Sequence, residues 1–259
     1  MKEIVLSIAG SDPSGGAGIE ADLKTLTALK VYGLSIISSL TIQNTVGVFE
    51  KFNIQSEIIE KQLAKLIEDI DFNFVKVSMI GDISNIKLFK KFLSDKFIIF
   101  DPVLFSKNGF PLIEEDYLKE VMDEFLPICS YMTPNFYELK RLSGIEEEPL
   151  TMARSILKKY TDLKAILIKG GHIDERNLTI CDTLLLKNGI VKIFKHSRIK
   201  SSNLHGTGCT LASAISAYLA KGCSIEKATS KAIKYLQRVI KKSSTLKIGK
   251  GTGPLLHYL

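Results

Sequence analysis

Ile4-Val5-Leu6-Ser7-Ile8-Ala9-Gly10-Ser11-Asp12-Pro13-Ser14-Gly15-Gly16-Ala17-Gly18 decides how this chain is read. Residues 4–9 form an apolar, β-prone run, a glycine-rich turn follows, and 17–30 carry a helical pattern. Strand, close-approach turn, helix is the opening of an α/β unit. The same alternation continues along the chain. Strands are expected at 34–42, 74–79, 97–101, 131–133 and 165–169. Helices are expected at 56–70, 84–94, 115–125, 136–142, 151–160, 207–221 and 224–242. Such alternation implies a parallel sheet covered by helices on both faces. Two further strands, 178–186 and 190–195, meet at Lys187-Asn188-Gly189. Asn-Gly is a strong hairpin signal and adds an antiparallel edge.

The chain has 259 residues, 45% of them hydrophobic, which is ample for one large core. No repeat, low-complexity tract or linker interrupts it, so 1–259 reads as one domain. The net charge of +7 comes mostly from lysines scattered over helix faces, a solvated surface with mild attraction for anions. No Arg-rich run or aromatic-basic interleaving points to nucleic acid. No apolar run reaches the roughly 18 residues of a membrane span. Cys129, Cys181, Cys209 and Cys223 show neither metal-ligand pairing nor a disulfide framework, and the N-terminus enters a strand with no signal-peptide pattern. Both features suit the cytoplasm.

In sheets of this kind ligands sit beyond the carboxyl ends of the strands. The unusual residues gather there. His205-Gly206-Thr207-Gly208-Cys209-Thr210 precedes a small-residue apolar helix. A helix start offers unpaired N–H groups and partial positive charge, and glycines let an anion approach them. The same field favours a thiolate at Cys209. Gly16-x-Gly18 fits a relaxed dinucleotide fingerprint, but the second strand ends in Gln43 where an acid is required. Gln43 offers donor and acceptor to a ring edge, or caps a loop. Asp22 is either a helix-start carboxylate or a ligand contact. Asp101, Asn135 and Glu138 supply oxygens suited to Mg²⁺; taken singly, Asn135 is a helix N-cap and Glu138 a solvated acid. Lys169 ends a strand before Gly170-Gly171 and reaches either phosphate or solvent.

Taken together, AGSDPSGGAGIEADLKT, LTIQNTVGV, DPV, TPNFYEL, IKGGH and HGTGCTLASAIS closely resemble the hydroxymethylpyrimidine/phosphomethylpyrimidine kinases of thiamine biosynthesis, members of the ribokinase-like superfamily. The resemblance spans nearly the whole chain. It implies a three-layer αβα sandwich, a homodimer, and two successive phosphorylations of one small pyrimidine by Mg²⁺ and ATP. By motif match, Gly10, Asp22, Gln43, Met79 and the backbone of Val103 would surround the pyrimidine. Asp101, Asn135 and Glu138 would organise Mg²⁺, and Lys169, with Thr207 and Gly208, would lie at the ATP phosphates. Gly206, Thr207 and Gly208 would form the anion hole, with Cys209 where many sugar-kinase relatives carry an aspartate base. Leu204 stands where relatives usually have threonine, and the segment 104–109 departs from the common pattern. That segment also lacks the second cysteine that related pyridoxal kinases use there, which favours the pyrimidine. The rivals are a pyridoxal or pyridoxine kinase, a dinucleotide-dependent oxidoreductase, and a pyrimidine-binding module without catalysis.

Overall fold

The computed structural model describes residues 3–106, 108–172 and 177–258. Its strands are β1 (Ile4–Ser11), β2 (Tyr32–Gln43), β3 (Val48–Asn53), β4 (Phe74–Val77), β5 (Phe97–Phe100), β6 (Tyr131–Met132), β7 (Ala165–Ile168), β8 (Thr179–Leu186) and β9 (Val191–Ser197). They form one sheet in the order β3-β2-β1-β4-β5-β6-β7-β8-β9. Pairing is parallel from β2 through β7. It is antiparallel at β2–β3, β7–β8 and β8–β9. From β1 the sheet grows both ways, to β2 on one side and β4 on the other. A sheet whose order reverses there leaves a crevice beyond the strand ends at that point.

The helices are α1 (Gly18–Ala28), α2 (Ser56–Asp69), α3 (Asn85–Leu93), α4 (Leu118–Glu120), α5 (Phe136–Ser143), α6 (Pro149–Lys159), α7 (Thr207–Ala220) and α8 (Ile225–Ser243). The two-residue period of the strands feeds both layers. In β5, Ile98 and Phe100 pack with α2, α3, α5 and α6, while Ile99 packs with α7 and α8. On that second side Val5 of β1 meets Leu26 of α1 and Ala217 of α7. Helix α7 is apolar around most of its circumference because it is buried all round. Helix α8 buries one stripe, including Ala228, Ala232, Tyr235 and Val239, and is capped where the Ser224 hydroxyl accepts from Lys227 N–H.

The expected α/β sandwich and edge hairpin are both present. The hairpin turns at Gly189, whose φ of 88° is open to glycine without strain. Two features differ from expectation. Strand β3 was not foreseen, so the sheet carries antiparallel strands at both edges. In Val48–Asn53 only Val48 is buried, and the residues do not alternate cleanly between apolar and polar. The helix expected at 115–125 is a broken segment: a 3₁₀ turn at Glu115–Tyr117, the short α4, a π turn at Val121–Phe125 and a second 3₁₀ turn at Leu126–Ile128. Pro127 has no N–H to give residue 123, so a regular α-helix does not continue through it.

Candidate active site

A cavity of about 560 Å³ opens at the carboxyl ends of the central strands, between the β1–α1 loop and the start of α7. Every residue expected in the site lines it except Asp22. The two glycine loops meet at its edge. Gly206, at φ 82°, caps α7, and a Cβ there would lie 1.8 Å from the Gly16 carbonyl oxygen. No side chain of this kind fits, so glycine is required for the contact as well as for the angle. Helix α7 has no side-chain cap. Residues 206–209 line the cavity, which gives an anion the uncapped N-terminus of a 14-residue helix.

One end of the cavity is a network of satisfied polar groups. Asp12 accepts from the Ser14 N–H and hydroxyl through Oδ1, and from the Gly16 and Ala17 N–H groups through Oδ2. His205 Nε2 lies 2.7 Å from the same Oδ2. Burial pushes the Asp12 carboxyl up, but the bonds from His205 and Ser14 outweigh it and hold the group at about 2. Gln43 sits between Thr41 and His205, 3.1 Å from each. Met79 packs against Gly10; a Cβ at Gly10 would lie 2.5 Å from its sulfur. Val103 donates its N–H to the Asp101 carbonyl at 2.8 Å, so that donor is already used. The segment around 104–109 is docked on β3, where Asn108 bonds both the N–H and the C=O of Val48. Lys107 lies outside the described residues.

The other end is ionic. Lys169, at the end of β7, donates to Asp101 Oδ1 at 2.8 Å and lies 3.5 Å from Glu138 Oε2. Thr133 also donates to Asp101 Oδ1, whereas Asp101 Oδ2 is buried with no partner among the described residues. Gly208 faces this pair: a Cβ there would lie 3.4 Å from Asp101 Oδ2. Burial raises the Asp101 pKa, but the Lys169 and Lys76 charges outweigh it and hold the carboxyl below its ordinary value. For Glu138 the balance reverses. Burial, with Asp101 adding to it against Lys169, pushes the carboxyl up to about 7.

Three expectations need correction. Asn135 and Glu138 form a reciprocal capping box: Asn135 Oδ1 accepts from Glu138 N–H and Glu138 Oε2 accepts from Asn135 N–H. The Asn135 oxygen is therefore taken up by the helix start and orients Glu138 rather than facing a metal. Asp22 does not reach the pyrimidine pocket. It is fully buried, paired with Lys76 at 2.7 Å and hydrogen-bonded by Ser7 and Ser213. Cys209 is not poised as a thiolate: packing around its sulfur, only partly offset by Lys76, pushes the thiol up to about 11.

Lys76 is the buried charge that motif reading missed. It stands inside β4, wholly buried, and donates to Asp22 and Ser78. Burial opposes its charge, but Asp22, Cys209 and Asp101 hold its pKa above the ordinary lysine value. The signal was a lysine between two valines in Phe74-Val75-Lys76-Val77, a strand interior where a solvated charge has no place. Asp12 and His205 were also visible in the motifs, but their pairing joins residues 193 apart.

The dinucleotide reading fails on the same geometry. A Cβ at Gly16 would lie 2.3 Å from the His205 ring, and one at Gly18 would lie 2.2 Å from the Gly10 carbonyl oxygen. Those glycines serve chain–chain contact, and β2 ends without an acid. For Mg²⁺ the fit is sound. Among the described residues no three acidic, His or Cys groups cluster as a self-sufficient metal cage. Mg²⁺ typically needs one or two carboxylates beside substrate phosphates and waters, and the orphaned Asp101 oxygen and Glu138 supply them.

The chain is 38% identical to a hydroxymethylpyrimidine/phosphomethylpyrimidine kinase of Rhizobium meliloti, over all of its own length and 98% of the relative's. The crystal structure of a phosphomethylpyrimidine kinase from Clostridium difficile superposes with a TM-score of 0.79 at 36% identity, covering 92% of this chain and all of that one. An ADP complex of Bacillus subtilis pyridoxal kinase superposes with a TM-score of 0.87 at 27% identity, covering 99% of this chain and 98% of that one. The family model described as phosphomethylpyrimidine kinase matches residues 12–256, and the chain belongs to that family.

Proposed function

We propose that the cavity transfers the γ-phosphoryl group of ATP to the hydroxymethyl oxygen of 4-amino-5-hydroxymethyl-2-methylpyrimidine, and then a second phosphoryl group to the monophosphate. One observation carries the reading. An uncapped, glycine-flanked helix start faces Asp101, Lys169 and Glu138 at one end of a single cavity, and Gln43 and Met79 line its other end. Gly206, Thr207 and Gly208 hold the transferring group through backbone N–H groups; Lys169 adds a fixed positive charge. Asp101 and Glu138 would hold Mg²⁺, which would supply neutralisation of phosphate charge when bound. In the first step a bond forms from the hydroxymethyl oxygen to phosphorus as the bond to ADP breaks, and the released proton goes to the Cys209 sulfur. Only the thiolate form of Cys209 can take that proton, and with a thiol near 11 it is a minor form at neutral pH, so the first step draws on a small population that grows with pH. In the second step the nucleophile is an anionic phosphate oxygen and needs no base.

Incubation of the protein with Mg·ATP and either the pyrimidine or pyridoxal, read by mass spectrometry, tests this. The mono- and diphosphates of the pyrimidine are expected, and pyridoxal phosphate as the sole product overturns it. Pyridoxal kinase is the second reading because of the 27%-identical structural relative; the missing cysteine in 104–109 weighs against it. A binding module without catalysis predicts intact ATP. We further propose a single cytoplasmic kinase domain that forms a homodimer through the outer face of β2–β3. Leu40 and Phe52 are paired across those strands at 45% and 54% exposure, with Ile42 beside them at 52%. No helix among the described residues is long and apolar enough to cross a membrane. Sedimentation should show a dimer that Phe52→Glu weakens.

A further inference from the structure

His205 touches Asp12, Gly16 and Gln43 at the substrate end, and a count of protons there fixes the direction of the Gln43 amide. The Gln43 amide is placed with Oε1 3.1 Å from the Thr41 hydroxyl and Nε2 3.1 Å from His205 Nε2. Thr41 has one proton, and its contact of 2.8 Å to the Ser11 carbonyl, which can accept only, takes it. Thr41 can therefore accept from Gln43 but not donate to it. At the other side, His205 Nε2 lies 2.7 Å from Asp12 Oδ2, a carboxylate oxygen. Asp12 is held ionised well below neutral pH, so the shared proton belongs to Nε2. An Nε2–H cannot also accept from an amide N–H. Both counts require the amide turned over, with its NH₂ toward Thr41 and its oxygen toward His205.

We propose that His205, held by Asp12, is a positioning residue that fixes the polarity of the Gln43 amide and thereby selects the hydrogen-bond order of the ring edge the pocket accepts. The ligand must place an acceptor on the Thr41 side and a donor on the His205 side. A 4-aminopyrimidine has that order, with a ring nitrogen beside an exocyclic amino group. Its 4-oxo analogue has the reverse, a ring N–H beside a carbonyl. The inference rests on the pyrimidine reading of the pocket. His205 is itself fixed, because its ring packs on Gly16 and its backbone N–H donates to Gly253 C=O at 3.1 Å.

The test has two arms. Nitrogen-15 NMR of the imidazoles, assigned with His205→Gln, reads the tautomer without any substrate. A proton on Nε2 of His205 is expected; a bare Nε2 overturns the proposal whatever the enzyme's substrate is. The second arm measures Kd and KM for the amino- and oxo-pyrimidines. The unaltered enzyme should prefer the amino form by about tenfold or more. His205→Gln, which can place an N–H where Nε2 stands, should keep that preference. His205→Leu should lose part of it, because one of the two constraints on the amide is then gone and Thr41 alone holds its polarity, with the KM for ATP little changed. Equal preference in His205→Leu and the unaltered enzyme overturns the positioning role, as does a loss in His205→Leu confined to kcat and ATP. Failure of the enzyme to bind either pyrimidine with Nε2 still protonated sinks the substrate reading and leaves the tautomer assignment standing.

Discussion

The two ends of the cavity are built on opposite principles. At the Gln43 end, Gln43 links Thr41 to His205, His205 pairs with Asp12, and each oxygen of Asp12 has its donors in place. At the Asp101 end, one carboxylate oxygen is buried without a partner among the described residues, and burial pushes the Glu138 carboxyl up to about 7. A closed network is rigid and selects a ligand by shape and hydrogen-bond order. An unbalanced ionic cluster gains from a ligand that brings its own charges. The difference teaches that this site is ready for its ring and incomplete for its phosphates.

The largest expected break in that contrast is Asp101→Asn. It removes the charge of the carboxylate whose second oxygen is buried without a partner among the described residues, and kcat for both phosphorylations should fall by about a thousandfold or more. The Kd of the pyrimidine, measured by calorimetry, should stay within a few-fold. Next is Lys76→Met, which leaves Asp22 charged and buried behind both ends. Denaturant unfolding should show a loss of about 3–5 kcal/mol. Asp22→Asn combined with Lys76→Met should recover part of it, since no lone charge is then buried.

Cys209→Ala should be smaller and selective. The first phosphorylation should slow by about a hundredfold and the second by less than about threefold. Single-turnover assays with each substrate separate the two. Because the thiol stands near 11, thiolate grows with pH across the neutral range. The first step should therefore speed up from pH 7 to 9 in the unaltered enzyme and stay flat in Cys209→Ala. Equal loss in both steps removes the cysteine from proton transfer. The smallest effect is that of Glu138. Its carboxyl is raised, so the protonated form gains as pH falls through about 7. Affinity for Mg·ATP should drop by about tenfold between pH 8 and 6, and pyrimidine affinity should not follow it.

Much of this was legible in the chain. The strand–turn–helix repeat placed the sheet, the edge hairpin and the loops that bear Gly10, Gln43, Asp101, Lys169 and Gly208, because periodicity and turn chemistry are local properties. What escaped was set by topology. Asp22 reads as a helix-start carboxylate until β4 lays Lys76 beside it, 54 residues away. Asn135 reads as a metal ligand beside Glu138 because the same spacing serves a capping box, and only the direction of its side chain separates the two roles. Cys209 follows two glycines at a helix start, which favours a thiolate, but the neighbours that bury its sulfur come from other elements. Strand β3 lacks alternation and is held by its pairing to β2.

Proton release on binding tests the contrast most directly. Calorimetric titration at pH 7 in buffers of different ionisation enthalpy counts the protons that each ligand moves. Mg·ATP should expel about half a proton, the share that Glu138 holds at that pH, as the incoming metal draws the carboxyl into its ionised form. The pyrimidine should move none. Proton release with the pyrimidine, or none with Mg·ATP, would contradict the account.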